Sequence, residues 1–551
     1  MSRWTMRAIA LLFLIPPGLQ AQVTSGRLLN AQAEPENWLT YSGSYASNRY
    51  SPLEQIRRGN VKDLELKWVF QAQSLEAFET SPLVVDGIMY LTEPPNTAVA
   101  LDARTGRLFW RYQYDPSPDA RPCCGRVNRG LAILGDTLFM ATIDAKLIAI
   151  DAKTGAPLWH VQIADPAAGY AMTLAPLVVK DKVITGVAGG EFGIRGFLTA
   201  HDAATGEELW RFYTIPAPGE PGSETWQDGG DAWMHGGGPV WVTGSYDPEV
   251  DLTYWGIGNP GPDWAPAQRP GDNLYSDSVV ALDPDTGELR WHFQFTPHDG
   301  HDYDATQVPV LVDLPTKTAS SGKLMLWGNR NGFFYVLDRV TGEFVRGNPF
   351  VKVNWASGLD EAGRPIATPV PPDEPTYPGN QGGTNWYSPS YSPRTQLFYL
   401  SAWEGYSSVY RADDEPTPYA EGKTFVGGFP GGPVPGRTNL PGIRRGPINN
   451  WTDAVGNGAI LAIDPLTGRP KWRYRTTDVS SSGILTTASD LLFTGTRDGY
   501  VYALDARNGD LLWKASVGGQ GANGPIAYAV DGDQYVAVAS GHGLFVFGLR
   551  K

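Results

Sequence analysis

The sequence predicts an all-β chain folded as an eight-bladed β-propeller with Trp-docking repeats, on three observations. One unit recurs along nearly the whole chain: an alternating strand, a D-x-x-T-G turn, and a second strand carrying Trp. The 551 residues hold 65 glycines, 45 prolines and 19 tryptophans with only 19 % charged residues, a composition of tight turns joining apolar strands. No obvious break divides the chain, although domains usually run ~100–200 residues. A propeller escapes that limit because it grows by adding blades around an axis.

In chain order, the first element is a leader. Arg3 and Arg7 give positive charge, Ala8 to Ile15 form a short apolar run, and Ala21 supplies a small residue for cleavage. This is a secretory signal peptide pattern, and the run falls below the ~20 residues that span a bilayer. Residues 1–21 are therefore expected to be removed on export to the periplasm, leaving 22–551 as one soluble propeller domain.

The repeats follow. AVALDARTGRLFWRY holds Asp102, Gly106 and Trp110. IAIDAKTGAPLWHV holds Asp151, Gly155 and Trp159. TAHDAATGEELWRF holds Asp202, Gly206 and Trp210. VALDPDTGELRWHF holds Asp283, Gly287 and Trp291. LAIDPLTGRPKWRY holds Asp464, Gly468 and Trp472. YALDARNGDLLWKA holds Asp505, Gly509 and Trp513. A seventh copy keeps Asp338 and Gly342 but carries Arg346 in place of Trp. In each, the Asp can bond nearby backbone, the Gly supplies positive φ, and the indole can bury up to ~250 Å² against the next blade. The long gap between Asp338 and Asp464 is expected to hold an eighth, degenerate blade around Leu397–Glu404, plus a Gly/Pro-rich loop from about Pro369 to Gly446. Ring closure is expected to use strands near Trp68 and Phe545.

The net charge of −14 argues against a nucleic-acid partner, which needs Lys and Arg clusters. No C-x-x-C-H occurs, so no haem is attached in the usual way. The only cysteines are adjacent, Cys123 and Cys124. Neighbouring Cα atoms lie ~3.8 Å apart and ordinary disulfides prefer ~4.4–6.8 Å. The pair thus reads either as two buried thiols or as a vicinal disulfide. Other segments between repeats carry polar clusters: Glu191 in GGEFG, Trp241 and Asn259, Asp302 and Asp304 in HDGHDYD, Arg330, then Asn385 and Trp386.

From WLTYSGSYASNRYSPLEQI nearly to the C-terminus, these motifs and their order resemble the PQQ-dependent methanol/ethanol dehydrogenase family. The resemblance implies pyrroloquinoline quinone (PQQ) packed between a Cys123–Cys124 disulfide and the Trp241 indole. It implies further cofactor contacts from Glu79, Arg129, Thr173, Gly189, Gly190, Arg330, Asn385 and Trp386. Glu191, Asn259 and Asp302 match metal-binding positions, and their oxygens suit a hard cation. Asp302 also matches the base that takes the alcohol proton. Asp304 stands where lanthanide-dependent members carry Asp, and an added carboxylate favours a trivalent ion over Ca²⁺, the alternative metal. Pro239 and Ala188 depart from the family by removing hydroxyl donors. Electrons are expected to leave through a separate cytochrome c, the substrate to be a small primary alcohol, and the assembly to be a homodimer. A non-catalytic propeller scaffold and a PQQ-dependent sugar or aldehyde dehydrogenase are the competing readings.

Overall fold

A computed structural model describes residues 23–315, 321–372, 374–430, 457–477 and 479–551. The expected leader and the end of the expected loop, 431–446, lie outside the described residues. Eight four-stranded antiparallel sheets follow one another along the chain as propeller blades. Blade 1 comprises Leu83–Val85, Ile88–Glu93, Thr97–Asp102 and Leu108–Gln113. Blades 2, 3, 4 and 5 begin at Ala132, Leu177, Ser245 and Val310 and repeat the same order. Blade 7 begins at Ile484 and carries one added parallel strand, Tyr50–Ser51.

Blades 6 and 8 correct the sequence reading in detail while leaving the count at eight. Leu397–Glu404 does not build a degenerate blade of its own. It pairs with Asn457–Asp464, the strand of the Asp464 repeat, inside blade 6. The long gap is an insertion between those two strands. The eighth blade is the closure itself: Ile526–Val530, Asp533–Ser540 and Gly543–Leu549 receive Leu64–Gln71 as their outer strand.

The repeat residues explain the ring. Asp102 Oδ1 accepts from the backbone N–H of Arg104 and Thr105, both at 2.9 Å, and the turn closes with Gly106 N–H donating to Asp102 O at 2.8 Å. Trp110, Trp159, Trp210, Trp291 and Trp472 each cover the turn glycine of the following blade. At Gly155, with φ of +75°, an added Cβ would lie 2.6 Å from Trp110, so glycine is required for both conformation and space. The same indole donates Nε1–H to Ala152 O at 3.0 Å. In the seventh copy Arg346 substitutes for this bond by donating to Leu466 O, so the exception still ties its blade to the next.

Antiparallel pairing fixes where function can sit. The D-x-x-T-G turns join third to fourth strands and share one end of the ring with the first-to-second hairpins, as Ala103 N–H donating to Gly87 O at 2.9 Å shows. The second-to-third loops and the connections between blades must emerge at the other end.

Near the axis, Arg49 is fully buried and holds the N-terminal segment to several blades. It donates to Tyr41 O and Pro525 O at 3.1 Å, to Ser81 Oγ at 3.1 Å and to Gly524 O at 2.5 Å. Burial pushes its pKa down to about 10, which leaves it charged at neutral pH. Removing it strips five bonds, from three buried carbonyls and from the Ser81 and Ser388 hydroxyls. Arg49→Ala is expected to lower stability by about 3 kcal/mol or more, read as an earlier denaturant midpoint. An unchanged midpoint would mean the segment is held by packing alone.

Candidate active site

All the residues singled out from sequence lie on second-to-third loops or on connections into, or between, blades, and so share the end opposite the D-x-x-T-G turns. Glu79 precedes blade 1. Cys123, Cys124 and Arg129 join blades 1 and 2, and Thr173 joins 2 and 3. Gly189, Gly190 and Glu191 lie within blade 3, Trp241 leads into blade 4, and Asn259 lies within it. Asp302 and Asp304 join blades 4 and 5, Arg330 lies within blade 5, and Asn385 and Trp386 lead into blade 6.

The acidic centre is organised around Arg330. Its Nη1 donates to Asp304 Oδ2 at 2.5 Å, its Nη2 to Asp302 Oδ2 at 3.0 Å, and its Nε to Asn380 O at 2.8 Å. Asp304 Oδ1 accepts the Asn259 backbone N–H at 2.9 Å, which ties two of the expected ligands together. An added Cβ on Gly190 would stand 3.7 Å from Asn259 Oδ1, so the Glu191 turn packs directly on the Asn259 amide. The Asp302 side chain is 18 % exposed against 8 % for Asp304, so Asp302 is the one with an open approach.

Burial dominates the electrostatics here. It pushes Glu191 up to about 7, with the nearby charge of Asp304 adding and Arg330 opposing. It raises Asp302 well above the carboxylate range, against Arg330 and with Asp304 and Glu191. Asp304 is raised as well, by burial against Arg330. Burial works to lower Arg330, but Asp302 and Asp304 outweigh it and raise its pKa. One guanidinium does not neutralise three carboxylates.

A second group flanks this centre. Cys123 and Cys124 form a disulfide with Cα atoms 3.8 Å apart, and both residues are exposed, which removes the alternative of buried thiols. Cys124 Sγ lies 3.6 Å from Glu191 Oε1. Arg129 is buried, paired with Glu79 at 2.8 Å and bonded to Thr173 Oγ1 at 2.9 Å. Its guanidinium stands 5.0 Å from the Trp241 ring and 4.4 Å from Trp386. Asn385 instead turns its amide N–H to Gln381 O at 3.1 Å.

Several residues here were missed in the sequence. Asp299 is fully buried and shapes the Asp302 turn: its Oδ1 accepts from His301 N–H at 2.9 Å and its Oδ2 from Tyr303 N–H at 2.8 Å. Asp302 between them sits at φ +62°, a region Asp tolerates better than most residues. The first Asp of HDGHDYD was the available signal. Arg269 and Asp263 are buried beside them, and no motif marks either.

The side chains fit the groups the resemblance implies. Glu191, Asn259, Asp302 and Asp304 offer only oxygen, the donor set of a hard cation. Their surplus buried negative charge is what such a cation neutralises. Among the described residues, Glu191, Asp302 and Asp304 do not place three oxygens within 4.8 Å of one another, so sharing one ion calls for side-chain rotation away from Arg330. The buried Arg129, beside two indoles, suits a flat, anionic ring system.

Comparison with known proteins bears on the family and the fold. The PQQ family profile described as glucose/ethanol/alcohol dehydrogenase, beta-propeller domain, matches residues 38–354 and 451–536. The chain is 38 % identical to the quinoprotein alcohol dehydrogenase PedH of Pseudomonas putida, covering 96 % of this chain and 90 % of that protein. It is 39 % identical to the quinohemoprotein alcohol dehydrogenase of Comamonas testosteroni, covering 94 % of this chain and 74 % of that protein. The solved structure of a europium-containing methanol dehydrogenase superposes with a TM-score of 0.82 at 33 % identity, covering 95 % of this chain and all of that one. With most of both blade ring and sequence matched, the chain belongs to the PQQ-dependent quinoprotein alcohol dehydrogenase family.

Proposed function

We propose that this protein oxidises small primary alcohols to aldehydes outside the cytoplasm, using PQQ and one lanthanide(III) ion, and hands electrons to a separate cytochrome c. The observation that supports the reading is one chain of contacts at one end of the ring: Arg330 bonds Asp302 and Asp304, Asp304 accepts from Asn259 N–H, and the Glu191 turn packs on the Asn259 amide. A scaffold has no use for buried carboxylates that one arginine leaves under-neutralised. Glu191, Asn259, Asp302 and Asp304 would hold the ion, with Ca²⁺ as the alternative. Cys123–Cys124, Trp241, Arg129, Glu79, Thr173, Gly189, Gly190, Asn385, Trp386 and Arg330 would hold PQQ. When bound, the quinone supplies the two-electron acceptor and the cation supplies Lewis acidity.

The chain's own residues have separate tasks. Asp302 takes the alcohol hydroxyl proton, its carboxylate aimed by the turn that Asp299 holds. Arg330 keeps positive charge beside Asp302, where negative charge collects during oxidation. Glu79 neutralises Arg129, so that charge is matched before a ligand enters. Among the described residues no helix is long and apolar enough to cross a membrane.

The test is dye reduction by the purified chain with PQQ and either La³⁺ or Ca²⁺, over short alcohols, glucose and acetaldehyde. Alcohol-dependent turnover, faster with La³⁺, is expected. No turnover with either metal would favour the scaffold, and turnover confined to glucose or the aldehyde would replace the substrate class.

A further inference from the structure

We infer that Asp263 acts as a fourth carboxylate of the cation site, a positioning charge that deepens its preference for a trivalent over a divalent ion. The inference rests on the metal reading above. Asp263 lies on the same blade 4 loop as Asn259, and that loop packs on the Glu191 turn. An added Cβ on Gly261 would stand 3.6 Å from Gly190 O. A segment of the blade 6 insertion then clamps the two together. Phe425 N–H donates to Glu191 O at 2.7 Å, and Trp264 N–H donates to Val426 O at 2.9 Å. Glu191 and the residue beside Asp263 are therefore held by consecutive residues, Phe425 and Val426, of one extended connection.

Among the described residues, the Asp263 side chain makes no hydrogen bond or close ion pair that accounts for its burial. The residue is 2 % exposed, and its Oδ1 has no hydrogen-bond partner. Arg269, the cation beside it, meets Asp263 through the backbone oxygen at 3.2 Å. The other Arg269 donors go to Pro262 O, Asn273 Oδ1 and Asp299 O. An uncompensated buried carboxylate costs free energy unless a positive charge answers it. Burial, then the charges of Glu191, Asp302 and Asp304, push the Asp263 carboxyl up from its ordinary range, with the Arg269 guanidinium opposing them. A charge that acts through space helps an ion in proportion to that ion's own charge, so a trivalent ion gains more than Ca²⁺ by a ratio of about three to two in free energy.

Asp263→Asn keeps the shape and removes the charge. The full-length mature protein and this variant would be titrated with Tb³⁺, read by tryptophan-sensitised luminescence, and with Ca²⁺ by competition. Tb³⁺ affinity is expected to fall by about the three-halves power of the fall for Ca²⁺, for instance about thirtyfold against tenfold. Asp263→Glu should keep the discrimination. Without ions, the Asn variant should melt higher than the parent, because an unanswered buried charge is gone. Equal losses for both ions, no loss for either, or a variant that melts lower or fails to fold would overturn the inference. A parent protein showing no preference for Tb³⁺ would instead sink the lanthanide reading itself, so the two failures are distinguishable.

Discussion

Asp302→Asn should lower alcohol turnover by about two to four orders of magnitude, the usual worth of a positioned general base. The substitution keeps the shape of the site but removes one charge that would hold the ion, so turnover is compared at saturating metal. Asparagine keeps the side-chain volume, the oxygen that would face an ion, and the left-handed φ of +62° that this position adopts. The turn is built by Asp299, whose carboxylate takes the N–H groups of His301 and Tyr303, and by Tyr303, whose hydroxyl donates to Pro378 O at 2.5 Å. None of those bonds uses the Asp302 side chain. What asparagine cannot do is accept the hydroxyl proton. The loss should fall on kcat, with KM and the melting temperature little changed. Turnover kept within about tenfold would move the base to another residue. Glu191 is then the candidate, as the other partly accessible carboxylate at this centre.

Asp304→Ala should abolish La³⁺-supported turnover while leaving Ca²⁺-supported turnover less affected. The size follows from Coulomb's law. A unit negative charge about 4 Å from an ion is worth ~4 kcal/mol per ionic charge at an effective dielectric of 20, so a trivalent ion loses ~4 kcal/mol more than a divalent one. Arg330 reduces this, because it already sits on Asp304 and Asp302 and loses one partner with the substitution. A selectivity change of about a hundredfold is the expected remainder. Alanine also strips the acceptor from Asn259 N–H, a structural cost of about 1–3 kcal/mol. Asp304→Asn separates the two effects, since it restores an acceptor and still lacks the charge. A full La³⁺ response in both variants would show that the carboxylate does not select the metal.

Much of this protein was legible as sequence because propeller repeats write their geometry locally. Asp102, Gly106 and Trp110 and their copies predict the turn, its positive φ and the inter-blade contact without long-range knowledge. Leu397–Glu404 was read as a strand but placed in a blade of its own, because the insertion after it hides its partner Asn457–Asp464. The eighth blade was found as a closure and not counted, since it carries no D-x-x-T-G turn. The expected site residues came from family motifs. Their position at one end follows from the alternation of turns and loops in antiparallel blades, which spacing does not state. Asp263, Arg269 and Asp299 stayed invisible for a different reason. A buried Asp and a turn-capping Asp look alike in sequence, and only the missing partner of Asp263 and the two N–H donors of Asp299 tell them apart.

The most direct measurement is an anomalous-scattering map of crystals grown with PQQ and Eu³⁺. A single strong peak should appear between the side-chain oxygens of Glu191, Asn259, Asp302 and Asp304, with a flat ring lying between Trp241 and the paired sulfurs. Europium bound only at surface carboxylates, with that centre still closed by Arg330, would contradict the account.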